Sequence, residues 1–248
     1  MPFLRTLLIA LAALAVPASA AVERPAVLIF SHTTGYRHES IPAGIAAVRS
    51  IAKRRGLTVV ASEDPAEFDP GRLSRYRAIV LLSTTTDPKN PASEWLTGGR
   101  RSELQRFVAR GGGVVPIHAA ADSHYHWPWY GRLVGGRFAR HPDGTPRGTV
   151  TVVDRRHPAT AALPPIVERV DEWYYFDDFD PTADLLMVLD PQSIGQPDVN
   201  PNPVSWTRRV GRGRLFYTAL GHTTESYSEP FFLRHVAGGL DWVIARRR

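Results

Sequence analysis

Three short apolar runs in this chain each end in a histidine, and that recurrence constrains the fold more than any other feature. VLIFSH ends at His32, GVVPIH at His118 and LFYTALGH at His222. Continuous apolar runs of this length suit strands covered on both faces, the condition of a parallel sheet with helices on either side. In open sheets of that kind, ligands bind in the crevice outside the carboxyl ends of the strands. The three histidines therefore converge on one site if their strands are neighbours.

The intervening segments supply the helices. Ile41, Ile45, Val48 and Ile51 recur at helical spacing, Pro42 is tolerated in the first turn, and Gly56 stops the pattern after Arg55. Leu57–Ala61 and Ala78–Leu82 read as the second and third strands. Ser102–Arg110 reads as a short helix closed by Gly111–Gly113, and Val114–Ile117 as the fourth strand. This order predicts an α/β fold, a doubly wound, mostly parallel sheet. The second half adds strands at Thr149–Val153 and Asp184–Leu189. Val204–Val210 and Arg214–Leu220 flank Gly211-Arg212-Gly213 as a hairpin, and Phe231–Ile244 forms a closing amphipathic helix. Neither a repeat nor a linker interrupts the pattern, so residues 21–248 read as one domain.

The first twenty residues read differently. Arg5 gives a positive start, Leu7–Val16 a brief apolar core and Ala18-Ser19-Ala20 a small-residue cleavage pattern. Together they predict a signal peptide cut after Ala20, export to the periplasm or medium, and no membrane attachment afterwards. Cysteine is absent, which removes thiol nucleophiles, thiolate metal sites and disulfides. The net charge of +6 invites a nucleic-acid reading, but the arginines are scattered and only Arg246–Arg248 form a dense run. A solvated arginine-rich surface is the expectation, with no nucleic-acid partner. Homo-oligomerisation is left open.

Several clusters carry chemistry. The loop SHTTGYRHES places His32, Arg37 and His38 directly after the first strand, where substrates bind in such sheets. His118 follows the fourth strand, with Asp122, His124 and His126 close behind. Its spacing matches no helical zinc pattern, and an imidazole steadied by a carboxylate makes a good general base. Trp129 and Tyr130, in WPWY, offer aromatic faces to the C–H face of a sugar ring. In DEWYYFDD, Tyr174 is a further substrate contact. Glu172 is the preferred functional acid, since the apolar wall of Trp173 would raise its carboxyl. His222 repeats the strand-end pattern, and Thr223–Ser226 supply a helix cap. Nucleotide-binding loops, the Gly-x-Ser-x-Gly elbow and His-Glu-x-x-His are all missing.

Taken in order, SHTTGYRHESI, SEDPAEF, GGGVVPIHAAADS with WPWYGRLVGGRF, HPATAALP, DEWYYF and GRLFYTALGHTTESY resemble the ThuA-like (trehalose utilisation) family. The resemblance implies a flavodoxin-like, class I glutamine amidotransferase-like fold and a link to sugar metabolism through trehalose and 3-keto-sugar pathways. It carries over His32, His38, His118, Asp122, Glu172 and His222. Where amidotransferases have cysteine this chain has His118, so glutaminase chemistry is not expected. The family commonly reads Thr-Glu-Tyr-Asp before Trp-Pro-Trp-Tyr. This chain has Ser123-His124-Tyr125-His126, so no role is carried over to His124 or His126.

The expectation is an exported enzyme acting on a disaccharide or keto-sugar. His118, Glu172 and Asp122 would be the acid/base groups, with His32, Arg37, His38, Trp129, Tyr130, Tyr174 and His222 binding substrate. A non-catalytic sugar-binding module is one alternative. A metal-dependent hydrolase built on the three strand-end histidines is another, so a divalent metal stays open while no cofactor is firmly implied.

Overall fold

The apolar runs become strands buried almost from end to end: β1 (Ala26–Phe30), β3 (Tyr76–Leu82) and β4 (Gly113–Ile117). The computed structural model describes residues 26–198 and 200–245; the predicted signal peptide, its cleavage point and Arg246–Arg248 lie outside that range. Strand alternation sends Val27 and Ile29 to one apolar layer, and Leu28 and Phe30 to the other. The first layer holds α1 (Ile41–Lys53) and α4 (Pro230–Ile244). The second holds α2 (Gly99–Ala109) and α3 (Pro128–Val134). A two-layered core of this kind is what continuous apolar strands demand.

β2 (Thr58–Ser62), β6 (Arg147–Val152), β7 (Ile166–Val170), β9 (Asp184–Asp190), β10 (Asn202–Val210) and β11 (Gly213–Thr218) complete a nine-stranded sheet. Its order is β2-β1-β3-β4-β11-β10-β9-β6-β7. The first five strands in that order run parallel, and antiparallel pairing begins at the β10–β11 hairpin. The hairpin turn is short: Val210 pairs with Gly213, and Gly211 takes a φ of 59°. A separate ribbon pairs β5 (Arg137–Arg140) with β8 (Tyr175–Asp177). It carries Phe138 against Tyr174, ring centres 4.3 Å apart. No helix among the described residues is long and apolar enough to cross a membrane.

The structure corrects the sequence reading in several places. α1 ends at Lys53 rather than Arg55, and α2 begins at Gly99, ahead of Ser102. The crossover from β2 to β3 is made by two single turns, Pro65–Phe68 and Arg72–Arg75, because Pro65, Pro70 and Gly71 break any longer helix. The strands β5, β7 and β8 and the helix α3 carried no clear periodicity and were not anticipated.

Candidate metal centre

The carboxyl ends of β1, β3, β4 and β11 open on one edge of the sheet, but β3 lies between β1 and β4. Neighbouring strands are about 4.8 Å apart, so a residue just past β1 starts roughly 10 Å from one just past β4. His32, two residues past β1, stays on the far side and packs against Phe30 and Trp95, at 6.1 and 6.0 Å between ring centres. The loop then crosses the end of β3. Thr34 donates its backbone N–H to the Thr85 carbonyl at 3.0 Å, and Ser40 donates to the Gly221 carbonyl at 3.1 Å. That path delivers His38, and not His32, to the mouth of β4.

His118 stands at the end of β4 with a φ of 51°, a left-handed conformation costing roughly 1–3 kcal/mol for a residue with a Cβ. Two hydrogen bonds hold it there. Its Nδ1 donates to the Ala219 carbonyl at 2.6 Å, and its own carbonyl accepts from Tyr217 Oη at 3.0 Å. With Nδ1 committed to a carbonyl, Nε2 is the nitrogen turned to the site: it offers a lone pair to a metal in the neutral ring and an N–H to a carboxylate in the protonated one. That nitrogen lies 3.2 Å from His222 Nδ1 and 3.3 Å from Glu172 Oε2. His222 Nδ1 is itself 3.1 Å from the same carboxylate oxygen.

His38 closes the group, its ring 4.8 Å from that of His118 and 5.2 Å from that of His222. One donor atom from each of His38, His118, Glu172 and His222 lies within 4.8 Å of every other. Three imidazoles and one carboxylate make a donor set suited to a divalent transition metal, so this cluster can hold one. The Nδ1 of His38 is buried and has no hydrogen-bond partner. Two other buried histidines differ. His235 spends both nitrogens on the Ala159 carbonyl and Ser205 Oγ, each at 2.9 Å, and His124 spends both on Ser123 Oγ and the Leu96 N–H.

Electrostatics follow from this packing. Burial, aided by repulsion from His118 and His222, pushes His38 down to about 3 and keeps it neutral. Burial acts to raise the Glu172 carboxyl, but hydrogen bonds from His118 and His222 outweigh it and hold the group well below the usual carboxylate range. This overturns the expectation that Trp173 would raise it, since that indole turns away to donate to the Pro146 carbonyl at 2.8 Å. The bond to Glu172 raises His222.

A single buried carboxylate organises the two loops that bring in Glu172 and His222. Asp171 Oδ1 accepts the backbone N–H groups of Glu172 and His222, each at 3.0 Å. Its Oδ2 accepts from Gly221 N at 3.0 Å and from Arg169 Nη2 at 2.9 Å.

Beside the four donors lies a cleft of about 360 Å³ lined by Tyr36, His38, Asp122, Phe138, His141, Glu172, Tyr174 and His222. Asp122 takes a hydrogen bond from Tyr125 Oη, and burial raises its carboxyl. Tyr174 lies tilted over His118 at 4.4 Å. His141, which the sequence did not single out, stands with Nδ1 3.4 Å from Glu172 Oε1. Only its place in a proline-glycine loop, HPDG, marked it.

Other candidates fall elsewhere. Arg37 is exposed and paired with Glu63 at 2.7 Å. Tyr130 is buried in the second apolar layer, donating to the Ala120 carbonyl at 2.8 Å, and Trp129 stacks on Trp127 at 4.9 Å. Neither lines the cleft, so the aromatic wall expected of them is supplied by Phe138 and Tyr174. His126 is exposed and bonded to Glu94.

Comparison with known proteins agrees with this architecture. The ThuA family, described as trehalose utilisation, matches residues 26–243. A ThuA-like protein from Bacteroides uniformis is similar in structure with a TM-score of 0.72 at 22% identity, covering 92% of this chain and 95% of that one. One from Parabacteroides merdae gives 0.71 at 20% identity, covering 90% of each chain. A β-galactosidase from Bacillus circulans sp. alkalophilus shares the fold at 0.57 and 14% identity, over 89% of this chain and 31% of that one. No curated protein matches the chain.

Proposed function

Because the chain belongs to the ThuA family of trehalose utilisation, we propose that it is a metal-dependent enzyme acting on a disaccharide or keto-sugar. One observation carries the reading. Four loops converge three imidazoles and a carboxylate within 4.8 Å, and one of those imidazoles is buried with Nδ1 unpartnered. A buried polar atom without a partner costs roughly 1–3 kcal/mol, an expense recovered where that nitrogen is the one that takes the ion.

A divalent metal held by His38, His118, Glu172 and His222 would supply Lewis acidity toward a carbonyl or hydroxyl oxygen in the cleft. The chain's own groups do the rest. Phe138 and Tyr174 take the C–H face of a sugar ring, and Asp122, its carboxyl raised by burial, is placed to carry a proton. A keto group makes the neighbouring C–H labile, so proton removal there, leading to elimination or isomerisation, needs neither a serine nor a cysteine nucleophile. With imidazole at the elbow and no cysteine in the chain, glutaminase activity is not proposed.

A second reading has its own support. The His118–Glu172 contact of 3.3 Å makes a ready acid/base pair without any metal. Untagged protein, its metal content measured and then incubated with trehalose and 3-keto-disaccharides with and without chelator, separates the two by product mass. Stoichiometric metal and loss of turnover in chelator are expected. Turnover that persists in metal-free protein sinks the metal reading and leaves the acid/base pair. If no turnover occurs while His118→Ala and Glu172→Ala bind sugar like the wild type, the chain is a sugar-binding module instead.

We further propose export, on the Arg5, Leu7–Val16 and Ala18–Ala20 pattern. N-terminal sequencing of protein from the periplasm or medium should begin at Ala21. Protein retained in the cytoplasm with Met1 intact would refute it.

A further inference from the structure

Two of the four donor residues, His38 and His222, line two cavities at once. The first is the aromatic cleft described above. A second, of about 320 Å³, adjoins it, and Tyr36, His38 and His222 line both. The walls differ in chemistry. Phe138, His141 and Tyr174 make the first a platform for a C–H face. Glu39, Thr145, Thr224 and Glu225 give the second hydroxyls and carboxylates, which bond sugar hydroxyls directly.

Size and charge narrow the occupant. Each cavity sits near the low end of the range for small-molecule sites, roughly 300–1,000 Å³, so each suits one ring and the pair suits two. Apart from the shared histidines, the ionisable side chains that line the second cavity without reaching the first are the carboxylates Glu39 and Glu225. They favour a neutral, hydroxyl-rich ring and oppose an acidic or phosphorylated one. Tyr36, 65% exposed on the shared rim, stands edge-on to His38 at 4.9 Å, in reach of either cavity.

We propose that the second cavity is a sugar subsite. The ligand is then a neutral glycoside of at least two rings, one on Phe138 and Tyr174, the other between Glu39 and Glu225. The linkage between them then passes His38 and His222, the two donor residues that the cavities share. The inference rests on the sugar-enzyme reading above and adds to it the length of the substrate and the position of its linkage.

Thr224 is the residue with which to test it. It is exposed, precedes the turn Glu225–Ser228 without a side-chain capping bond, and belongs to neither the four donors nor the aromatic wall. Thr224→Tyr fills the second cavity and leaves the first intact. Calorimetry on metal-loaded protein would compare trehalose with glucose, and 3-keto-trehalose with 3-keto-glucose. At least a tenfold preference for a two-ring probe over its one-ring counterpart is expected. Thr224→Tyr should abolish that preference while one-ring affinity and metal stoichiometry stay at wild-type levels. Equal affinity for one and two rings overturns the subsite alone, as does a two-ring preference that survives Thr224→Tyr. Failure of all four probes to bind overturns the sugar reading and the subsite with it.

Discussion

Acid should unfold this protein sooner than its charge suggests, and the cause lies in three buried histidines. His38, His124 and His235 are each pushed down from 6.5 to about 3, in every case chiefly by burial. All three are neutral when folded and take a proton when unfolded. Below pH 6.5 the unfolded chain therefore binds more protons than the folded one. Stability is complete above 6.5 and is lost progressively as pH falls toward 3. At pH 5 the gap is about 1.5 pH units per histidine, near 2 kcal/mol each at about 1.4 kcal/mol per unit, or about 6 kcal/mol together. His222 and Asp122, both raised, bind their protons earlier in the folded state and oppose part of this loss. The remainder is still a large share of a total stability of roughly 5–15 kcal/mol. Urea unfolding in chelator, followed by the fluorescence of the six tryptophans, should show a fall of several kcal/mol between pH 7.5 and 5. His235→Gln removes one contributor remote from the four donors, and should shrink the fall by about 2 kcal/mol whatever its own cost at pH 7.5. A stability that is flat over that interval, or a variant that falls as far as the wild type, would refute the reasoning.

Other consequences are as direct. Asp171→Asn takes from buried Arg169 its buried carboxylate, leaving only the more exposed Glu229 at 3.2 Å, and loosens the loops holding Glu172 and His222. A loss of about 3–5 kcal/mol in urea unfolding is expected, and metal affinity, read by chelator competition, should fall about 10–100-fold. Tyr174→Ala should weaken sugar binding about tenfold by calorimetry, near the upper figure for an aromatic contact, while Trp129→Ala should leave it unchanged; equal effects would put the sugar elsewhere. Gly238→Ala would set a Cβ 2.1 Å from the Pro158 carbonyl oxygen, a backbone atom that cannot step aside. About 2–3 kcal/mol of overpacking should lower Tm by roughly 5–10 °C.

The elements found correctly from sequence are those whose neighbours are close along the chain or whose burial is complete. β1, β3 and β4 are apolar throughout because both faces are covered, and α1 shows its single buried stripe. The short ribbon of β5 and β8 gave no comparable signal, because strands of four and three residues at the rim are only partly buried. Within the site, His118 and His222 were legible as strand ends. His38 was legible only as one of two histidines in a loop, and the more obvious His32 turned out to face Trp95. Trp129 and Tyr130 looked like a sugar platform because aromatic residues beside a histidine read the same way whether they face a cleft or a core.

By itself, the sequence determined the class of sheet, the edge on which the histidines emerge and the family, since these follow from local apolar patterning and residue order. Tertiary structure decided which histidines meet. Insertion of β3 between β1 and β4 sets a gap that His32 cannot span and His38 can, and strand order is a long-range property that no local pattern records. The same holds for Glu172. Its neighbour along the chain, Trp173, suggested a raised carboxyl, while its neighbours in space, His118 and His222, hold it low.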